Sequence, residues 1–253
     1  MFYWLAKFVL LGPLLRGLWR PWAEGLENIP DDRPAIIASN HLSFCDSFFM
    51  PVMVPRKVTF LAKAEYFTTP GIKGFFSRMF FAGVGQVPID RSDADASKAA
   101  LNTGVRVLAE GKLLGIYPEG TRSPDGRLYR GKTGVARLAL GCDVPVIPVG
   151  LVGTRLVQSP GSMVMRPFHT VTVRFGPPVA YDVAGRQVTT GECTPGRPAG
   201  EGARGDAEQE ELRALTDALM AGIAGLSGQE YVDQYASRKK VAPGDGDPAI
   251  APA

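Results

Sequence analysis

The chain has 253 residues, 45% of them hydrophobic, and a formal net charge of +3, which allows one substantial core with appendages and is too mild a charge to argue for nucleic acid, for which no motif is present either. Two histidines are too few for a His-rich metal centre, and Cys45, Cys142 and Cys193 match the spacing of neither a zinc site nor a disulfide framework, which points to reduced thiols in a cytosolic setting. The excess positive charge sits early, with 18 Lys and Arg against 12 Asp and Glu in residues 1–140 and 10 against 13 afterwards, a balance suited to an anionic membrane surface or a phosphorylated substrate.

The opening MFYWLAKFVLLGPLLRGLWRPW is too interrupted to span a bilayer: FVLLGPLL is its longest uncharged run after Lys7, and a spanning helix needs about 20 residues. Lys7 inside the apolar stretch, with PWAEGLE following, does not fit a secretory signal. Phe2, Leu5, Phe8, Val9, Leu15, Leu18, Trp19 and Trp22 interleave with Lys7, Arg16 and Arg20, so residues 1–24 are read as an interfacial anchor, rings at headgroup level and cations on anionic lipid. Pro13 is expected to divide it into two short helices. The alternative is an ordinary core-capping helix.

PAIIAS (34–39), KVTFLA (57–62), KLLGIYP (112–118) and DVPVIPVGL (143–151) are short apolar runs of the kind buried on both faces of a sheet, and HTVTVRFG (169–176) alternates like a further strand. Between them, 93–111 and 131–141 carry helical apolar faces, ending at Gly111 and Gly141. YFTTPGIKGFFSRMFFAGVG (66–85), with Lys73 and Arg78, either extends the anchor surface or belongs to the core. This alternation predicts an α/β fold in which residues 25–182 form a single domain, helices flanking a mostly parallel central sheet. Residues 183–205 lack any apolar period and are read as a flexible insertion. Residues 206–240 are read as a C-terminal helix packed on that domain, its periodic part at 206–226, and 241–253 as a mobile tail.

Four fragments follow or close predicted strands: NHLSFCD (40–46), VPID with Arg91, YPEGTRS (117–123) and VIPVGL (146–151). Strand ends are where an open α/β sheet binds ligands, so the four define one candidate site. On a regular helix His41 and Asp46 would point about 140° apart. They can pair only if His41 occupies the turn after the strand and Asp46 the first turn of the next helix, where the carboxylate orients the imidazole as a base. The competing reading takes Ser43 to Asp46 as a helix cap, S-x-x-D. Cys45, beside Phe44, reads as packing rather than as a nucleophile. In YPEGTRS, Gly120 allows backbone approach to an anion, Thr121 adds a hydroxyl and Arg122 a guanidinium fork; Arg91 and Lys132 are further phosphate candidates.

In order and spacing these fragments resemble the four motifs of the lysophospholipid acyltransferases, most closely the bacterial 1-acyl-sn-glycerol-3-phosphate acyltransferases, over roughly residues 25–180. The resemblance implies the glycerol-3-phosphate acyltransferase-like fold with a membrane-associated N-terminal helical segment. It implies His41 as general base and Asp46 as its partner. It implies a phosphate site of Arg91, Glu119, Gly120, Thr121 and Arg122, which Lys132 adjoins, and Pro148 in a supporting strand. The implied substrates are acyl-CoA or acyl-carrier protein as donor and lysophosphatidic acid as acceptor, giving phosphatidic acid, with no metal and no cofactor. The chain would sit peripherally or monotopically on the cytoplasmic face of the cell membrane. Glycerol-3-phosphate or another lysophospholipid is the alternative acceptor; an acyl-CoA thioesterase and a non-enzymatic lipid carrier are readings of other classes. The segment 183–205 has no counterpart in the family pattern.

Overall fold

Aliphatic runs bracketed by turn residues build the centre of the molecule. A computed structural model describes residues 2–72, 74, 78, 79, 81, 85–89, 96–160, 162, 164–179 and 206–236. Its strands are β1 (Trp22–Glu24), β2 (Ala35–Ser39), β3 (Val58–Lys63), β4 (Gln86–Ile89), β5 (Leu113–Ile116), β6 (Leu128–Tyr129), β7 (Val146–Val152), β8 (Thr172–Phe175) and β9 (Tyr231–Val232). Its α-helices are α1 (Phe2–Leu5), α2 (Gly12–Trp19), α3 (Asp46–Met53), α4 (Glu65–Thr68), α5 (Ala96–Ala109), α6 (Gly134–Cys142), α7 (Thr154–Val157) and α8 (Asp206–Ser227).

Among the described residues seven strands form one sheet in the order β1-β8-β7-β2-β5-β3-β4, parallel throughout except where β8 runs against β7. Both faces are covered, so β2 is buried at every position and its residues alternate between two cores. Ala35 and Ile37 pack with Phe49 and Trp19 on the side of α3 and the N-terminal helix. Ile36 and Ala38 pack with Leu108, Leu138 and Leu219 on the side of α5, α6 and α8. Pro148 lies in β7 opposite Ala38. Because β2 and β5 are neighbours in parallel, the residues after each, Asn40 onward and Tyr117 onward, emerge side by side beyond the C-terminal ends of these central strands. Gly115 in β5 is required by space: a Cβ there would stand 2.5 Å from the Phe60 ring.

Three N-terminal expectations are corrected. Pro13 does not divide the segment, because helical conformation continues from Phe2 to Trp19 through a π-helical stretch, Ala6–Leu11, that shifts the hydrogen bonding ahead of the proline; Gly12 N–H donates to Lys7 O. Lys7 is buried rather than lipid-facing, and its ammonium donates to the carbonyl of Val54, at the C-terminal end of α3, where the helix dipole favours a cation. Burial, then the charge of Arg16, lowers its pKa to about 8. Finally, Leu15 and Trp19 face the core, and the expected anchor boundary at residue 24 falls inside the sheet, since β1 pairs with β8. What remains outside is a row of Trp4, Leu5, Phe8, Val9, Leu10 and Leu14, all exposed. Among the described residues no helix is long and apolar enough to cross a membrane.

Where the stretch 66–85 is described, Phe81 belongs to the core, while Ile72 and Met79 are exposed. At the other end, α8 stops at Ser227 because Gly228 turns left-handed (φ 71°), and the chain returns as a strap in which β9 pairs with β6. The expected helix of 206–240 is therefore a helix and a strap as far as residue 236. The insertion 183–205 and the tail 241–253 lie outside the described residues.

Candidate active site

β2 ends at Ser39, and the turn that follows carries His41 while α3 begins at Asp46. Asp46 is fully buried, and its Oδ2 accepts three hydrogen bonds: from His41 Nδ1 at 2.9 Å, Leu42 N–H at 2.7 Å and Ser43 N–H at 2.8 Å. One oxygen thus ties the turn and orients the imidazole, so the capping and orienting readings of Asp46 do not compete. Its Oδ1 is buried without a hydrogen bond to any described residue. With Asp46 ionised, Nδ1 is the donor and Nε2 is left with its lone pair. Ser43 does not cap the helix as expected; its hydroxyl donates to Gln158, whose Oε1 also accepts Cys45 N–H at 3.0 Å. Cys45 is buried, and its thiol is pushed up to about 12 by burial and then by the Asp46 charge, which fits a packing role.

The imidazole lies flat on Tyr117, with ring centroids 3.8 Å apart and planes within 10°, and Phe60 also stacks on Tyr117, at 5.4 Å. The Tyr117 hydroxyl meets Ser47 Oγ at 3.0 Å. Burial, reinforced by the Asp46 charge, keeps this phenol protonated. Directly after it, Tyr117 O accepts Gly120 N–H at 2.9 Å in a turn whose Gly120 has φ 73°.

Glu119 corrects one expectation. It does not line the cleft, and a carboxylate there would repel a phosphate. It is instead buried beneath the His41 turn, where Oε1 accepts His41 N–H at 3.1 Å and Oε2 accepts Tyr129 N–H at 3.0 Å. Ser123 N–H donates to His41 O at 2.7 Å. Both backbone groups of His41 are therefore held by the segment after β5. Burial raises the Glu119 pKa to about 7 against the lowering effect of the two amides.

A cleft of about 780 Å³ opens over this arrangement, lined by His41, Gly120, Thr121, Arg122 and Lys132, with apolar walls from Phe44, Phe60, Leu61, Leu101 and Leu138. Lys132 lies across Gly120, and its N–H donates to Pro118 O at 2.8 Å. Arg137 adds a further cation to the cleft, one the sequence reading passed over. Arg91 lies outside the described residues.

The sequence profile of the Acyltransferase family matches residues 21–152, a span that contains His41, Asp46, Tyr117, the segment 119–123, Lys132 and Arg137, with Gln158 just beyond it. The chain belongs to the acyltransferase family. Among its relatives are the 1-acyl-sn-glycerol-3-phosphate acyltransferase of Limnanthes alba, 36% identical over 149 residues (58% of this chain, 51% of the relative). That of Bacillus subtilis (strain 168) is 30% identical over 129 residues (50% of this chain, 60% of the relative). The chain spans about half the length of the plant relative and somewhat more of the bacterial one. A crystal structure of the 1-acyl-sn-glycerophosphate acyltransferase PlsC from Thermotoga maritima shares the fold, with a TM-score of 0.56 at 22% identity, covering 90% of this chain and 89% of that one.

Within this candidate site, sequence reasoning missed Tyr117, Gln158 and the pairing of Asn40. Asn40 Nδ2 donates to Leu151 O at 2.9 Å and Oδ1 accepts Leu151 N–H at 2.7 Å, carrying the β2–β7 ladder one residue past its end. The position of Tyr117, immediately after a strand and at the head of the quoted fragment, was the available signal for it.

Proposed function

We propose that this acyltransferase-family chain moves a fatty acyl group from a thioester, acyl-CoA or acyl-carrier protein, to the 2-hydroxyl of 1-acyl-sn-glycerol-3-phosphate, giving phosphatidic acid. The observation that carries the proposal is the 2.9 Å contact of His41 Nδ1 with the buried carboxylate of Asp46, at the mouth of a cleft that also holds Arg122 and Lys132. The names of the relatives support the choice of acceptor.

A thioester is already activated, whereas a hydroxyl is a weak nucleophile until its proton is taken. His41 Nε2 removes that proton as the hydroxyl oxygen attacks the acyl carbon. The Asp46 charge stabilises the imidazolium that results. The imidazolium then protonates the departing thiolate, so the proton is conserved and no acyl-enzyme forms. Arg122, Lys132 and Thr121 hold the acceptor phosphate and so fix the hydroxyl at His41; Arg91 is retained as a further phosphate ligand. The apolar walls from Phe44 and Phe60 suit an acyl chain.

The exposed row from Trp4 to Leu14 gives this reading its setting: an apolar helix face lying in the headgroup layer of the cytoplasmic leaflet, beside Arg16 and Arg20, where both lipids reside. The decisive measurement is thiol release from acyl-CoA with lysophosphatidate vesicles. His41→Ala is expected to abolish it; retention of near-wild-type release contradicts the proposal. Omission of lysophosphatidate should also stop release, and undiminished hydrolysis without it would favour a thioesterase.

A further inference from the structure

The strap after α8 lies outside the family match at 21–152, yet it reaches the turn that carries His41. Helix α8 lies so tightly on β7 that a Cβ at Gly150 would stand 2.5 Å from the Leu226 carbonyl carbon. That contact, with the left-handed turn at Gly228, delivers Gln229 to the end of β2.

There the two ends of one side-chain amide are used separately. Gln229 Oε1 accepts from Asn40 Nδ2 at 2.6 Å, and Nε2 donates to Gly126 O at 2.6 Å. Asn40 precedes His41 and also pairs both ways with Leu151. Farther along the strap, Leu128 N–H donates to Glu230 O at 2.9 Å and Arg130 N–H to Gln234 O at 3.0 Å. These bonds bracket Tyr129, whose own N–H donates to Glu119 Oε2. The other oxygen of Glu119 accepts His41 N–H. The strap therefore holds the His41 turn along two routes, one through Asn40 and one through Tyr129 and Glu119.

We infer that Gln229 is a positioning residue for the acyl transfer, clamping Asn40 to Gly126 so that the imidazole of His41 keeps its place on Tyr117 and Asp46. The inference rests on the reading of His41 as the base. An amide is the side chain that offers an acceptor to Asn40 and a donor to Gly126 at this length. A glutamate keeps the acceptor but turns a second oxygen toward the Gly126 carbonyl, and a methionine fills similar space with neither bond.

The test uses the full chain in lipid nanodiscs with Gln229→Glu, Gln229→Met and His41→Ala. Two readouts are taken: kinetics of thiol release from acyl-CoA, and NMR of histidine-labelled protein. The chain has two histidines, so His41→Ala assigns the His41 ring signals. Stacking 3.8 Å from Tyr117 shifts those signals upfield, and they report the ring's position without reference to turnover. Both Gln229 variants are expected to lower kcat roughly ten- to a hundredfold, as small misplacements of a reacting group do. The acceptor KM should stay within about twofold, and the His41 signals should move downfield. Unchanged kcat with unmoved His41 signals overturns the inference, whatever happens to the melting temperature, because the strap would then be a structural brace only. If His41→Ala keeps thiol release, the base reading fails, while moved His41 signals in the Gln229 variants still support the clamp. Should Gln229→Met fail to fold, Gln229→Asn, with its amide one methylene short, is judged by the same two readouts.

Discussion

The carboxylate oxygen of Asp46 that sits 2.9 Å from His41 Nδ1 also accepts the amides of Leu42 and Ser43, so a single atom both shapes the turn and aims the imidazole. Asp46→Asn separates the two tasks. An asparagine oxygen in the same place still accepts the amides but carries no charge to stabilise an imidazolium. Thiol release should fall roughly a hundred- to ten-thousandfold, with melting temperature nearly kept. Asp46→Ala, which leaves two buried amides unbonded at about 1–3 kcal/mol each, should also lower stability. Retained activity in Asp46→Asn would return the residue to a purely architectural part.

Glu119 supplies a pH dependence with a defined sign. Its folded pKa of about 7 is raised above the ordinary 4.5, chiefly by burial, so the folded state holds the proton more tightly. The stability it contributes is full below about 4.5 and is lost as pH rises through about 7, a decline of about 1.4 kcal/mol per pH unit at most. Protonation, however, removes one acceptor from the pair of amides at His41 and Tyr129. Activity and stability should therefore move in opposite directions between pH 5 and 8. Glu119→Gln, which meets one of those amides with its own NH₂, should lower kcat about tenfold or more and flatten the pH dependence of urea unfolding. A slope unchanged in the variant assigns it to another group.

Tyr117 holds the imidazole by its face and Ser47 by its hydroxyl. Tyr117→Phe keeps the stack and loses one hydrogen bond, so about 1 kcal/mol of stability and little activity should go. Tyr117→Leu removes the flat surface, and kcat should drop roughly tenfold more than in the phenylalanine variant. Equal kcat in the two variants would show that the stack does not position the ring.

The outward row of the N-terminal helix predicts lipid binding in the proposed setting. Phe8→Ser with Leu10→Ser should cut co-sedimentation with anionic vesicles by more than about tenfold, since each buried apolar side chain contributes about 1.5–3 kcal/mol. The isolated chemistry, assayed with detergent-dispersed acceptor, should be kept. Vesicle binding equal to wild type would rule out this face as the contact.

The sheet was legible because β2, β3, β5 and β7 are short apolar runs that only a sheet covered on both sides can bury. The contact of His41 with Asp46 follows the one geometry their spacing allows, but the spacing alone is a weak signal, and the stretch stands out only in company with YPEGTRS and Arg91. Glu119 was not, since a carboxylate inside a phosphate-like loop reads as surface until the amides of His41 and Tyr129 are seen to converge on it. Lys7 misled for a related reason: a cation in an amphipathic segment pattern points outward, and nothing local shows that the end of α3 waits for it. Gln229 lies 189 positions from Asn40, and no periodicity records a contact of that range.

Strand β1 joins the sheet through β8, with Trp22 opposite Thr172. During synthesis the helix Phe2–Trp19 thus emerges with its apolar row uncovered, and nearly 150 further residues follow before the strand that secures its end exists. Pairings so far apart in the chain close late in folding. The outer edge of the sheet, and with it the attachment of the chain that follows the N-terminal helix, is accordingly completed only after β8 has been made.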